Sequence, residues 1–386
     1  MLPLPSGAVI LQVLPRLEAG GVERGTVEIA QAVVAAGGTA LVASQGGRLV
    51  AAIERAGGRH IAMPLASKNP AVIWRNTGRL VALIRAERVS IIHARSRAPA
   101  WSAWLAARRT GARFVTTYHG VYNENLPGKR RYNAVMSYGE RVIAISHHVA
   151  ELLVSRNGVA PARIRVIPRG VDLALFDPDR IAAPRLARLA QAWRVPDGAP
   201  TIMLPARLTR WKGAAVLIDA MARLERKDAC CVLVGGTKGH GRFAKELERQ
   251  AAILGIADRL RLVGHCDDMP AAMMLADVVV SASTDPEGFG RTVIEAQAMG
   301  RPVVATDHGG AAETVEHLVT GWRVPPGDAA ALAEAIDHAL RMPLEHRQAL
   351  GERSRTAVCA TYTTAVMQAA TLDVYRELLP LNTPER

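Results

Sequence analysis

Two short segments hold the residue types that sugar-phosphate chemistry needs. The first runs Asp285-Pro286-Glu287-Gly288-Phe289-Gly290-Arg291 and on to Glu295. Proline and glycine force a loop, and a helix is predicted to start near Arg291. The backbone N–H groups of Gly288, Phe289 and Gly290 then lie at a helix N-terminus, a natural place for an anion or for sugar hydroxyls. Glu287 sits on the loop beside them. Glu295 lies one turn into the helix, where a carboxylate accepting two hydrogen bonds suits a vicinal diol such as a ribose. The second segment is Leu204-Pro205-Ala206-Arg207-Leu208-Thr209-Arg210-Trp211-Lys212-Gly213. Arg207 and Lys212 follow a strand and precede a helix. Two cations there suit a leaving diphosphate, which gains negative charge in the transition state. Arg210 is an alternative cation in the same loop.

Three further elements are weaker. Gly20-Gly21-Val22-Glu23-Arg24 is a glycine turn opening a helix, and at Gly21 the backbone can approach a phosphate or sugar. It is not GxGxxG, so the dinucleotide fingerprint is absent. His119, in Thr117-Tyr118-His119-Gly120, follows a strand and is placed to reach a ligand. His93 is its rival, and a satisfied structural histidine is the competing reading of both. Asp177-Pro178-Asp179 matches the DxD pattern of some metal-dependent sugar transferases, but beside proline in a linker it reads as a turn. No metal site is predicted.

The elements that must position these residues alternate along the whole chain. Short apolar runs at Ala8–Leu14, Ala40–Ala43, Ile61–Met63, Ser90–His93, Phe114–Thr117, Arg141–Ile145 and Ile164–Ile167 read as strands, with helical stretches between most of them. After Pro168-Arg169-Gly170-Val171-Asp172 the alternation restarts, with strands at Ile202–Pro205, Cys231–Val234, Arg261–Val263, Val278–Ser281 and Pro302–Ala305. This pattern predicts an α/β protein of parallel sheets covered on both faces. The simplest arrangement is two Rossmann-like, doubly wound domains, 1–172 and 173–363, joined near 170–198 and facing a central cleft. A terminal helix within 364–386 is expected to pack back on the first domain. Ligands of such sheets bind at the carboxyl ends of the strands.

With 386 residues and 49% apolar content the chain can bury two cores, and with 4% aromatics those cores must be aliphatic. The four cysteines form no CxxC or Cys/His cluster, which suits free thiols in a reducing compartment. No apolar run is long enough to span a bilayer and no signal peptide is visible, so a cytoplasmic protein is expected. The net charge of +13 is lopsided. Residues 1–172 hold 23 Lys/Arg and 9 Asp/Glu, whereas residues 173–386 hold 25 and 26. A basic half points to an anionic partner.

Taken in order, Gly20-Gly21, His119-Gly120, the helix start at Ser146, Pro168 through Asp172, Arg207 to Lys212-Gly213 and the Glu287/Glu295 element resemble the family 4 glycosyltransferases of the GT-B fold. The likeness covers nearly the whole chain. It implies that Arg207 and Lys212 bind the donor diphosphate, that Glu287 and the amides of Gly288, Phe289 and Gly290 contact the donor sugar, and that Glu295 holds the ribose. It places His119 near the reacting carbon, Gly21 near the phosphate or the acceptor, and the base near Gly264 and Met269. It further implies retention at the anomeric carbon by front-face substitution, without metal or cofactor. Arg169 departs from the asparagine that the family often has at that position.

The resemblance and the charge together suggest a hexosyltransferase drawing on a UDP- or GDP-linked sugar. Its acceptor would be a lipid-linked sugar, a lipopolysaccharide or another surface polysaccharide, reached from the inner face of the cytoplasmic membrane, with the protein peripheral on that anionic surface. One alternative is a GT-B enzyme with a soluble acceptor, such as a glucan synthase or a sugar-nucleotide epimerase. Another is a nucleic-acid binder using the basic half, but zinc-finger, helix-turn-helix and stacking signals are absent.

Overall fold

The computed structural model describes residues 2–18, 20–122, 127–236 and 241–380. The chain divides into two compact units: Met1–Arg169 with Thr364–Arg386, and Gly170–Thr363.

The first unit is built on seven strands: β1 (Val9–Val13), β2 (Thr39–Ser44), β3 (Arg59–Ala62), β4 (Ile91–Ala94), β5 (Arg113–Tyr118), β6 (Arg141–Ala144) and β7 (Ile164–Val166). All pair in parallel, in the order β3-β2-β1-β4-β5-β6-β7. Parallel neighbours cannot be joined by hairpins, so helices carry each crossover and cover both faces. The order reverses between β1 and β4, where Val13 stands beside Ala94. Crossovers are right-handed, so the helices before and after that reversal lie on opposite faces. Helix Gly21–Ala35 packs with Val50–Arg55 and Thr364–Leu378, while Pro70–Ala86 packs with Arg97–Thr110. The core is aliphatic, with Ile10, Leu14, Ile29, Val42, Ile91 and Leu372 buried together.

The terminal helix Thr364–Leu378 is tied into this first unit by polar contacts. Tyr375 Oη lies 2.7 Å from His93 Nδ1, Gln368 Nε2 donates to the Glu28 carbonyl at 2.7 Å, and Glu377 pairs with both Arg141 and Arg165 at 2.7 Å.

The second unit repeats the plan with six parallel strands: β8 (Thr201–Pro205), β9 (Cys230–Val234), β10 (Leu260–Gly264), β11 (Val278–Ser281), β12 (Val303–Thr306) and β13 (Trp322–Val324). Their order is β10-β9-β8-β11-β12-β13, so the reversal falls between β8 and β11. Leu204, Leu217, Leu233, Val280 and Ile336 lie in its core. Three-residue β13, with one polar residue between Gly321 and Pro325, is too short for a periodicity signal, and the sequence reading missed it.

Residues 170–198, where the two domains were expected to join, belong to the second unit. Val171 pairs with Thr363 in a parallel bridge, and the guanidinium of Arg185 on helix Ala183–Trp193 holds Asp268 at 2.5 Å.

Candidate functional site

The reversal between β8 and β11 positions the two segments that opened the sequence reading. Doubly wound sheets leave a crevice at such a point because the crossovers on either side leave on opposite faces. Beyond β8 the chain makes a short 3₁₀ turn, Arg210–Lys212, and enters helix Ala214–Arg223 through Gly213. Gly213 has φ +73°, and a Cβ there would overlap the carbonyl oxygen of Ala282 just beyond β11. Only glycine lets the two loops approach so closely.

That approach joins Lys212 to Glu287. Lys212 Nζ lies 2.7 Å from Glu287 Oε1, and the two side chains are 17% and 10% exposed. The Ser283 hydroxyl donates to the same carboxylate oxygen. A narrow pocket beside the pair is lined by Leu204, Ala206, Ser281, Ser283 and Thr292. The ammonium also lies 4.4 Å from the centre of the Trp211 ring. Arg207 is exposed, with no ion pair among the described residues, whereas Arg210 is bound to Glu246 at 2.5 Å and stacks over Phe243. Of the two candidate arginines, Arg207 is therefore the one at liberty to meet an anion.

Helix Arg291–Ala298 starts where the sequence places it, entered through Gly290 at φ +84°. The Gly310 N–H donates to the Glu287 carbonyl at 2.8 Å, and a side chain at Gly310 would overlap the carbonyl of Gly288. This second glycine contact braces the Glu287–Gly290 loop from behind. Phe289 is buried, its ring edge-on to Tyr362 at 5.7 Å, so only its backbone is free to serve a ligand. Glu295 is also buried, with Arg291 Nε 3.9 Å from its carboxylate.

Gly264 ends β10 with φ +73°, and Met269 is the first residue of helix Met269–Leu275, capped by Asp268. Both lie at the same end of the sheet as Lys212. β10 is two strands from β8, a lateral distance of about 10 Å at the usual strand spacing.

Gly21 and His119 belong to the first unit. Gly21 opens helix Gly21–Ala35, its carbonyl accepting a hydrogen bond from the Arg169 guanidinium. A Cβ at Gly21 would meet nothing within 4 Å, so the fold leaves room above it. At Gly25 a Cβ would overlap the Arg169 guanidinium, so a side chain there would displace that arginine. His119 follows β5 immediately, and its Nε2 is buried without a hydrogen-bond partner. Burial holds its pKa well below the ordinary histidine value, helped by the charges of Arg169 and Arg95. His93 is held in the core between Tyr375 Oη and Thr117 Oγ1, each at 2.7 Å. Burial likewise keeps it neutral, so its place is structural.

Asp177 accepts a hydrogen bond from the Asp179 N–H, as an Asx turn does, and pairs with Arg355 at 3.3 Å. Among the described residues no three His, Cys, Asp or Glu side chains gather as a metal-sized group. Sequence reasoning missed Ser283, and it noted Arg169 only as a departure from the family's asparagine, without its contact to Gly21 or its influence on His119. Ser283 lies in the loop already singled out, but a serine there carries no pattern of its own.

Two family models match the chain. Residues 19–175 fit Glycosyltransferase Family 4, and residues 187–357 fit Glycosyl transferases group 1. A D-inositol 3-phosphate glycosyltransferase of Salinispora tropica is 32% identical over 76% of this chain and 66% of its own length. The corresponding Salinispora arenicola enzyme is matched over 58% of its length, so the chain spans two thirds or less of these two relatives. A GDP-mannose-dependent alpha-(1-6)-phosphatidylinositol monomannoside mannosyltransferase of Mycobacterium tuberculosis is 32% identical over 70% of this chain and 71% of its own. Among solved structures, a glycosyltransferase from Rickettsia africae superimposes with TM-score 0.89 at 38% identity, covering 96% of this chain and 98% of that one. Anabaena HepE, solved with UDP and glucose, gives TM-score 0.83 at 23% identity over 96% and 100%, a likeness of fold. With both units matched by family models and each built on the Rossmann-like sheet of the GT-B fold, this chain belongs to the family 4 glycosyltransferases.

Proposed function

We propose that the protein is a retaining, metal-independent hexosyltransferase that moves a sugar from a UDP- or GDP-linked donor to a lipid-linked or surface-polysaccharide acceptor at the inner face of the cytoplasmic membrane. The observation that carries the donor half is the Lys212–Glu287 pair at the β8/β11 reversal, with exposed Arg207 on the same loop. A cation beside a carboxylate, both mostly sheltered from water, suits a ligand that is diphosphate at one end and polyhydroxyl at the other.

In this reading the donor diphosphate meets Arg207 and Lys212. Glu287, with the amides of Gly288, Phe289 and Gly290, accepts and donates hydrogen bonds to the sugar. Glu295 exchanges its contact with Arg291 for the ribose hydroxyls, and the base reaches Gly264 and Met269. The bond from the anomeric carbon to the diphosphate oxygen breaks while the acceptor oxygen bonds to the same face. The acceptor proton passes to the departing phosphate oxygen, and the two cations stabilise the charge left there. Neutral His119 contacts the sugar through a hydrogen bond, and Gly21 leaves space for the incoming group.

The lipid-linked acceptor is supported by the basic first half of the chain and by the mycobacterial relative, whose name carries a phosphatidylinositol mannoside acceptor. The inositol phosphate relatives offer a phosphorylated soluble acceptor as the second reading. The test presents the full chain with UDP-glucose, UDP-N-acetylglucosamine and GDP-mannose, together with a membrane lipid extract or inositol phosphate. Nucleotide release coupled to an α-linked glycolipid from an α-linked donor is expected. A β-linked product overturns retention, and turnover with inositol phosphate alone overturns the lipid acceptor.

A further inference from the structure

The helices on the two faces of the first unit's sheet differ in charge. Three helical segments on the face that follows the β1/β4 reversal, Pro70–Ala86, Arg97–Thr110 and Lys129–Asn133, contain nine Lys/Arg and no Asp or Glu. The helices assigned to the other face, Gly21–Ala35 and Val50–Arg55, with the terminal helix Thr364–Leu378 packed on them, carry five Asp/Glu against three Lys/Arg. The next helix on the basic face, His147–Asn157, holds one charge of each sign and bounds the patch.

The basic face is continuous. Ser102 Oγ on helix Arg97–Thr110 donates to the Ile73 carbonyl of Pro70–Ala86 at 3.1 Å, and Trp101 Nε1 donates to the Tyr132 carbonyl at 3.1 Å. Its outward residues include Arg75, Arg79, Arg109 and Arg131, all exposed. Among them stands Trp74, 69% exposed, the most exposed aromatic side chain among the described residues. Tyr138 is 40% exposed at the other end of the patch, packed on Trp104 with ring centroids 5.1 Å apart.

We propose that this face docks the protein on an anionic lipid surface. The inference rests on the lipid-linked acceptor reading and names the part of the chain that would meet the bilayer. Arginines gain by approaching anionic headgroups, and these three segments carry no carboxylate to oppose that approach. An indole standing in solvent among arginines is costly in water but suited to the headgroup boundary, where its ring is buried and its N–H stays wet. No helix among the described residues is long and apolar enough to cross a membrane, so attachment through this face would be peripheral. A nucleic acid fits less well. Trp101, Trp104 and Tyr138 pack edge-on or tilted against one another instead of offering open ring faces for bases to stack upon.

The full chain is sedimented with phosphatidylcholine vesicles and with vesicles that also contain phosphatidylglycerol, at low and high salt. Salt-sensitive binding to the anionic vesicles alone is expected, with a blue shift of tryptophan emission that Trp74→Ser removes. Arg75→Gln/Arg79→Gln/Arg109→Gln should weaken binding roughly 100-fold. A matched control, Arg55→Gln/Arg188→Gln/Arg223→Gln, should bind as the unaltered protein does. Stabilisation by UDP on heating should be the same in all variants, so that loss of docking is separable from loss of the donor site. Equal binding to both vesicle types, equal loss in the control, or tighter binding of duplex DNA at the same salt with the same sensitivity to these substitutions overturns the proposal.

Discussion

Lys212 and Glu287 neutralise each other at 2.7 Å, although they come from loops that follow different strands of the second sheet, β8 and β11. Neither is fully accessible, so removing one leaves the other charge poorly solvated, a loss that reaches ~3–5 kcal/mol for a fully buried pair. Alanine at either position therefore mixes a loss of stability with a loss of chemistry. Glu287→Gln and Lys212→Met keep the volume and, together, the charge balance. Each single variant should lower transfer by about 1,000-fold, and the double variant should melt closer to the unaltered protein than either single one. Full activity in Glu287→Gln or Lys212→Met would remove the pair from the donor site.

Ser283 is buried and spends its hydroxyl on the carboxylate of Glu287. On the proposed donor reading it would act on the reaction through Glu287. Ser283→Ala should lower kcat by about 10-fold, the worth of one hydrogen bond to a charged group, while far-UV circular dichroism is unchanged. Ser283→Thr restores the hydroxyl and should recover part of the rate. Equal kcat in serine and alanine forms would make the contact incidental.

Gly213 cannot be replaced without moving the loop that leaves β11. A Cβ at φ +73° is strained and would overlap the Ala282 carbonyl. Gly213→Ala should cost at least ~2 kcal/mol in chemical denaturation and weaken UDP binding as well, because the Lys212 loop must withdraw. Gly21→Ala, with nothing within 4 Å, is the contrasting case. It should leave stability within about 0.5 kcal/mol and reveal any ligand role through the KM for donor or acceptor.

Two histidines of the first unit, buried His93 and half-buried His119 with its buried Nε2, link its stability to pH. Burial lowers the pKa of both His93 and His119 from the ordinary value of 6.5. Below 6.5 the unfolded chain takes up protons that the folded chain refuses, so the stabilisation present above 6.5 is lost as pH falls. The loss approaches about 1.4 kcal/mol per pH unit for each imidazole until its folded pKa is reached. Denaturation midpoints between pH ~7.5 and ~5.5 should fall more steeply in the unaltered protein than in His93→Asn. An equal slope would show that His93 is protonated in the fold.

How far the sequence could be read varied with the kind of signal. Buried parallel strands such as Val278–Ser281 are short apolar runs, and these emerged nearly at their observed ends. The helix at Arg291 announced itself through Pro286, Gly288 and Gly290. Short β13 did not, since three residues cannot establish a period. The site was legible as two loops. That Arg210 is already held by Glu246, that Phe289 faces inward, and that His93 is anchored by Tyr375 were not, because each depends on a partner distant in the chain.

By itself the sequence determined the alternation of strand and helix, the aliphatic cores, the glycines of the loops after β1, β8 and β11, and the concentration of positive charge in the first half. Those properties are local: periodicity, backbone freedom and composition act within a few residues. Tertiary structure alone decided which charges meet. Parallel strands return to the same end only after a crossover, so the strand order brings the β8 and β11 loops together and gathers nine basic residues on one face of the first sheet. The Glu287 carboxylate read from sequence as a sugar ligand is thereby also the partner of Lys212, a pairing that linear spacing could not disclose.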